Sequence, residues 1–317
     1  MPDFLVPHPR TSTAVLLASA AADRGLHVIA EAGTGPEVHW YGGPLAARRA
    51  GVRERLGVGL LEPRDEWLST LPYELTRRRV ALATLADAWA LEGPAFVKPP
   101  SDKSVPAAVY ATGRELPREG ERIGPGTPVL ISDVVEFTAE YRLFVLDGEV
   151  VTGSRYAVYG RLDPGPLTPG ARDFGRRLLD TAGRTLPSAV VVDIGRLAGA
   201  GDLHGDDGNG RQRAGGHGDG ADAADHDGWD HSGHDPDRAD DGSSLGVRSR
   251  SVRSSGGRFS DGRSDGVSGG EHWAVVEANM PWFAHSYAAL PDRVLDVVLR
   301  ASGPRHRVAP RDVPFLR

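Results

Sequence analysis

Glu277 and Asn279 stand two residues apart in the stretch HWAVVEANMPWFAHSY, directly after the apolar run at 274–276. Read as a strand, that run puts both side-chain oxygens on one face, because strand side chains alternate with period two. A carboxylate and an amide on one face make half of a site for a hard cation. The other half is available upstream, where the apolar β-branched run at 189–192 ends in Asp193. Three oxygen donors of this kind hold Mg2+ and leave positions open for phosphate oxygens. An isolated E-x-N is more often a strand end entering a turn, so the remaining residues have to decide.

Lys98 lies in AFVKPPSDKSVPAAVY, which reads as a strand, a loop holding Lys103, and a second short strand. A lysine at such a place aims a point charge at phosphate oxygens. The alternative is a solvated surface lysine, and the apolar neighbours Phe96 and Val97 count against it. Glu140 and Arg142 share one face of a later strand, where an exposed ion pair is the plain alternative. Arg77, Arg78 and Arg79 fall in the first turns of LTRRRVALATLADAWAL, residues 75–91, whose pattern predicts one helix. Three adjacent arginines on a helix point in different directions, so one or two at most reach a common ligand.

The elements that position these groups follow from composition and periodicity. A chain of 317 residues with 39% apolar residues buries one large core or two smaller ones. The formal net charge is -6 with both signs spread along the chain, which points to neither a nucleic acid nor a membrane as partner. The absence of cysteine excludes disulfides, thiolate zinc sites and a cysteine nucleophile. The start of the chain lacks a signal-peptide pattern and no apolar run approaches the roughly 20 residues of a membrane span, so a cytoplasmic protein is expected.

Residues 1–75 read as a small α/β unit. Strands are expected at 4–6 and 27–30, a helix capped by Thr11 or Ser12 lies between them, and EVHWYGG with PLAARRAGVRERLG repeats strand then helix. Such alternation implies a mostly parallel sheet. Gly33, Gly35, Gly42 and Gly43 lack phosphate-loop spacing and read as turns. Further on, VLISDVVEF is expected as one strand, and YRLFVL with EVVTGS as a hairpin across Asp147-Gly148. Helices are expected at about 168–182 and at 291–301, and the tail to Arg317 is expected to be loosely held. Trp282, Phe283 and His285 read either as substrate wall or as core.

Between residues 199 and 270 the composition collapses to Gly, Asp, Ser, Arg and His. Such a stretch buries too little apolar surface to offset its ordering entropy, so a disordered insertion is expected, with a role as a tether for a partner. With it removed, VVVDIGRLAG joins GEHWAVVEAN as a hairpin that sets Asp193 beside Glu277 and Asn279.

In order and spacing, FVKPPSDKS, VLISDVVEFTAEYRLFVLDGEVVTGSR, VVVDIG and AVVEAN resemble the ATP-grasp superfamily, most of all its clade named for two arginines and a lysine. The resemblance runs from about residue 75 to 301 without the insertion. It implies an α/β protein, α+β in its catalytic part, with a pre-ATP-grasp-like unit at 1–75 and a two-lobed ATP-grasp domain at 76–317. It implies ATP and Mg2+. By position, Lys98 and Lys103 would reach the phosphates, although the loop around Lys103 lacks the glycines of many relatives. Asp133, Val134, Val135 and Glu136 would meet adenine at a hinge strand, and Glu140 the ribose. Asp193, Glu277 and Asn279 match the magnesium triad. Arg142 and Arg155 would face the phosphate side and contact the γ-phosphate or the acyl substrate, and one of Arg77 to Arg79 a phosphate. The implied activity joins a small-molecule or peptide carboxylate to an amine through an acylphosphate. The alternatives are a non-catalytic nucleotide- or partner-binding module and a phosphotransferase on the same fold.

Overall fold

The computed structural model describes residues 1–7, 11–31, 37–101, 104–120, 123–198 and 272–316. Lys103, Gly33, Gly35 and the insertion expected at 199–270 lie outside the described residues. Three short strands near the start, β1 (Asp3–Leu5), β2 (His27–Ile29) and β3 (Val38–Trp40), form a parallel sheet in the order β2-β1-β3. Parallel neighbours need a crossover, and α1 (Ser12–Asp23) supplies it between β1 and β2. Thr11 caps that helix by accepting from the Ala14 amide at 3.1 Å, and Ala14, Leu17, Ala20 and Ala21 bury its inner face. A second helix, α2 (Pro44–Ala50), begins with proline and stops at Gly51, whose φ of 62° is left-handed.

The stretch 75–91 is not one helix. Short helices α3 (Trp67–Thr70) and α4 (Tyr73–Thr76) come first, and α4 ends where Arg77 takes a left-handed φ of 52°. Strand β4 (Val80–Thr84) follows, and Thr84 then caps α5 (Leu85–Trp89) in a reciprocal box with Asp87. The helical reading failed because β4 finds its backbone partners in another segment, β7 (Pro128–Ser132), along its whole length. With β5 (Ala95–Lys98) and β6 (Ala108–Tyr110) these strands make an antiparallel sheet in the order β4-β7-β5-β6.

VLISDVVEF is likewise not one strand. It leaves this sheet after Ser132, crosses at residues 133–136, and enters β8 (Phe137–Leu146) of a second sheet. The crossing is held at both ends, the Asp133 amide donating to the Arg79 carbonyl at 3.1 Å and the Ala198 amide to the Glu136 carbonyl at 3.1 Å. The second sheet continues with β9 (Glu149–Val158), β10 (Arg161–Pro166), β11 (Ala189–Leu197) and β12 (Trp273–Asn279), in the order β10-β9-β8-β11-β12. Asp147 and Gly148, with φ of 51° and 85°, make the expected tight turn between β8 and β9.

Strand β11 reads as a continuous apolar run because both of its faces are covered. Val190, Val192 and Ile194 pack with Phe174 and Leu178 of α6 (Pro169–Ala182). Ala189 and Val191, with Phe144, pack instead in the core that holds the N-terminal sheet, α1 and α7 (Pro291–Ala301). A third, smaller core around Leu85, Val97 and Val129 serves the four-stranded sheet. The tail, expected to be loose, is packed. Buried Asp312 accepts from the Ser188 amide at 2.7 Å and hydroxyl at 2.6 Å, and Phe315 is buried. A fully satisfied carboxylate of this kind holds a segment that lacks a long apolar run. Among the described residues no helix is long and apolar enough to cross a membrane.

Candidate active site

The ladder of the five-stranded sheet sets Arg142 of β8, Asp193 of β11 and Glu277 of β12 in one row, each directly opposite the next. Directly opposed residues share a face, and along this one Phe144 and Val191 enter the core while Arg142 and Asp193 carry charge. Arg142 grips Asp193 with a fork, Nε to Oδ1 at 2.9 Å and Nη2 to Oδ2 at 2.7 Å. Both side chains are buried, with exposures of 4% and 0%. Asn279 closes the row by donating from Nδ2 to Glu277 Oε1 at 2.7 Å and to Asp193 Oδ2 at 3.3 Å. From the four-stranded sheet, Lys98 brings its ammonium to Glu277 Oε2. Two carboxylates, an amide and two cations from opposite sheets therefore meet at one place.

Their charges act on one another strongly. Burial pushes the Glu277 carboxyl up, but Lys98, the Asn279 amide and Arg142 outweigh it and hold the group down, at about 2. Burial is the larger push on Asp193 and raises it, with Arg142 opposing. Burial also raises Glu140, opposed by the Tyr156 hydroxyl, which donates to Glu140 Oε2 at 2.7 Å. Arg78 is pulled down to about 10 by burial, with Glu277 opposing.

The other expected residues divide. Glu140 lies on the same face as Arg142, two positions along β8. Arg155 does not reach the cluster: Ser154 and Tyr156 beside it face Arg142, so period two turns Arg155 away. Its Nη2 donates to Asp163 Oδ1 at 3.1 Å. Asp133 is held through its side chain by Arg79, at 2.9 to 3.2 Å, and Val134, Val135 and Glu136 continue the crossing between the sheets. Of the three arginines, Arg78 is the buried one, donating to the carbonyls of Val275 at 2.7 Å and Val276 at 3.3 Å just before Glu277. None of the three sits on a helix interior. Trp282 is core, 1% exposed, with its indole N–H on the Leu61 carbonyl.

Sequence reasoning missed two sets of residues. A crevice beside Lys98, Glu277 and Asn279 is walled by Glu62 and Asp65, which carry no motif. Tyr156 and Tyr287 stack over Arg142, and for Tyr287 nothing in the sequence signals it.

Among the described residues no three or more His, Cys, Asp or Glu side chains gather as a metal cage. Asp193, Glu277 and Asn279 nevertheless fit a hard cation. Their side chains converge within hydrogen-bonding distance through the Asn279 amide, and a cation there would take carboxylate oxygens that Lys98 and Arg142 hold.

Residues 75–203 match a family model of the ATP-grasp domain, the second family of the clade named for two arginines and a lysine. That stretch holds Lys98, Glu140, Arg142 and Asp193 and ends before Glu277 and Asn279. Among solved structures, the ATP-grasp ligase PsnB complexed with precursor peptide PsnA2 and AMPPNP is similar at 14% identity, over 63% of this chain and 84% of that chain, with a TM-score of 0.33. A RimK domain protein ATP-grasp from Sphaerobacter thermophilus DSM 20745 gives 15%, 62%, 86% and 0.37. The macrocyclase MdnC bound with precursor peptide MdnA from Microcystis aeruginosa MRC gives 11%, 62%, 87% and 0.31. No curated protein matches.

Proposed function

Because residues 75–203 match a family model of the ATP-grasp domain, in the clade named for two arginines and a lysine, we propose that the chain is an ATP- and Mg2+-dependent ligase joining a carboxylate to an amine or similar nucleophile. The observation that carries this reading is the meeting of Lys98, from one sheet, with Glu277, Asn279 and Asp193 of the other. ATP would lie between the sheets, with adenine against the backbone of Asp133, Val134, Val135 and Glu136 and ribose on Glu140. Lys98 would exchange Glu277 for phosphate oxygens, with Lys103 covering them. Asp193, Glu277 and Asn279 would hold Mg2+. When bound, the metal supplies charge neutralisation across the phosphate oxygens.

In the first step a carboxylate oxygen of the substrate attacks the γ-phosphorus. The bond to the bridging oxygen breaks, and its electron pair leaves with ADP. In the second, the amine attacks the acyl carbon of the acylphosphate, phosphate departs with the C–O electron pair, and the amine loses a proton to water. No covalent nucleophile is needed, so positioning and neutralisation by Lys98 and Arg142 suffice. The acyl substrate would be a small-molecule or peptide carboxylate.

Calorimetry of ATP binding with and without Mg2+ tests this, on wild type and on Glu277→Ala with Asn279→Ala. Binding that needs Mg2+ and disappears in the double variant is the expected result. A folded wild type that does not bind ATP sinks the ligase and leaves a scaffold.

A further inference from the structure

Arg142 has more contacts than the fork to Asp193. Its Nη1 donates to the His285 carbonyl at 3.3 Å, and its guanidinium carbon lies 5.5 Å from the Tyr156 ring centroid and 5.3 Å from that of Tyr287. The two rings stack on each other at 5.4 Å with 18° between their planes. Tyr287 reaches this place through a left-handed backbone, φ 49°, which a bulky residue adopts only where its surroundings enforce it.

The surroundings do so. The Ser286 amide donates to Thr13 Oγ1 of α1 at 2.9 Å, the Ser154 hydroxyl donates to the Ser286 carbonyl at 3.3 Å, and the Tyr41 hydroxyl donates to the Ala284 carbonyl at 3.1 Å. Among the described residues the Tyr287 hydroxyl makes no hydrogen bond, so its ring is what meets Arg142.

We propose that residues 285–287 are a positioning device for Arg142, the Tyr287 ring and the His285 carbonyl fixing the guanidinium from the sides that Asp193 leaves open. As a consequence for catalysis this rests on the ligase reading; as a statement about Arg142 it does not. The turn is pinned by α1, by β9 and by Tyr41. The N-terminal unit therefore sets the orientation of an arginine in the other sheet.

The test uses the full chain with Tyr287→Gly, Tyr287→Leu and Tyr287→Phe. Glycine keeps the left-handed backbone and removes the ring; leucine removes the ring and keeps apolar bulk. One readout is the Arg142 Nε–Hε resonance in 15N-labelled protein, displaced in wild type by the two rings. The other is ADP release against ATP affinity. Glycine and leucine should move the resonance toward ordinary arginine values and slow turnover about tenfold with ATP affinity unchanged. Phenylalanine should restore both.

An unmoved resonance in the ringless variants overturns the proposal. Phenylalanine as slow as leucine also overturns it, assigning the hydroxyl a direct role. If glycine does not fold, leucine carries the same two readouts. If wild type releases no ADP, the ligase reading fails, and the resonance still decides whether Tyr287 fixes Arg142.

Discussion

Two ion pairs meet at the site, and the molecule builds them differently. Arg142 and Asp193 sit on adjacent strands of one sheet, with 4% and 0% exposure, and β8 alone runs ten residues between two cores. Lys98 and Glu277 come from different sheets and keep 12% and 21% exposure. The sheet that carries Lys98 has strands of three to five residues and a small core of its own, and gives the core beside α6 only Leu130 and Val80. It joins the rest of the chain at two crossings, residues 77–79 and 133–136. A charge whose geometry must hold throughout a reaction belongs inside one sheet. On the proposed ligase reading, the cation that would trade a carboxylate for a phosphate sits on the lobe with the shorter strands and the smaller core.

If that contrast is right, the two pairs respond unequally to losing their cation. Arg142→Met leaves a carboxylate buried and unpaired, and should cost about 3–5 kcal/mol in urea unfolding. Lys98→Met leaves Glu277 near solvent and bonded to Asn279, and should cost about 1–2 kcal/mol. Equal costs would break the contrast and make both pairs structural.

Part of this arrangement was legible in the sequence. E-x-N at the end of an apolar run, an upstream run ending in aspartate, and a low-complexity stretch between them were enough to bring Asp193 beside Glu277. The Asp147-Gly148 turn and the span of α7 also followed from local signals. What escaped depended on register. A two-residue turn pairs Leu146 with Glu149, which would carry Gly153 opposite Arg142, but a shift between Phe144 and Val145 puts Ser154 there. The same shift sets Arg155 opposite Tyr141, and a second, between Glu140 and Tyr141, carries Ala157 opposite Glu140 and leaves Tyr156 without a direct partner on β8. No composition or period announces such bulges, so the face of Arg155 and the approach of Tyr156 stayed hidden. Strand β4 was hidden for another reason: its half-exposed residues pass for a helix until β7 supplies the ladder.

A smaller effect should appear with pH. The folded-state pKa of Glu277, about 2, lies below its ordinary 4.5. The stability it contributes is therefore complete above about pH 4.5 and lost as pH falls toward about 2. Urea unfolding of wild type and Glu277→Gln should differ by about 1–2 kcal/mol at pH 6 and converge near pH 2. A gap that persists at pH 2 would mean that the carboxylate charge is not what Lys98 recognises.

The smallest effect should come from the two crossings themselves. Arg79 donates three times to Asp133 through its side chain and once through its amide, and the Asp133 amide returns a bond to the Arg79 carbonyl at 3.1 Å. The clasp ties one crossing to the other, yet the Arg79 side chain is 86% exposed, so water and salt screen it. Asp133→Asn should therefore leave the urea midpoint unchanged within error. It should still loosen the lobe, because the charge and one of the two acceptor oxygens that hold the crossings together are lost while the backbone bond remains. Amide exchange along β4 and β7 should quicken severalfold at low ionic strength, and the difference from wild type should shrink near 1 M salt, where the screening length falls to about 3 Å. Exchange that does not change at low salt would place the flexibility of the Lys98 lobe elsewhere, and the contrast between a fixed and a yielding cation would then need another hinge.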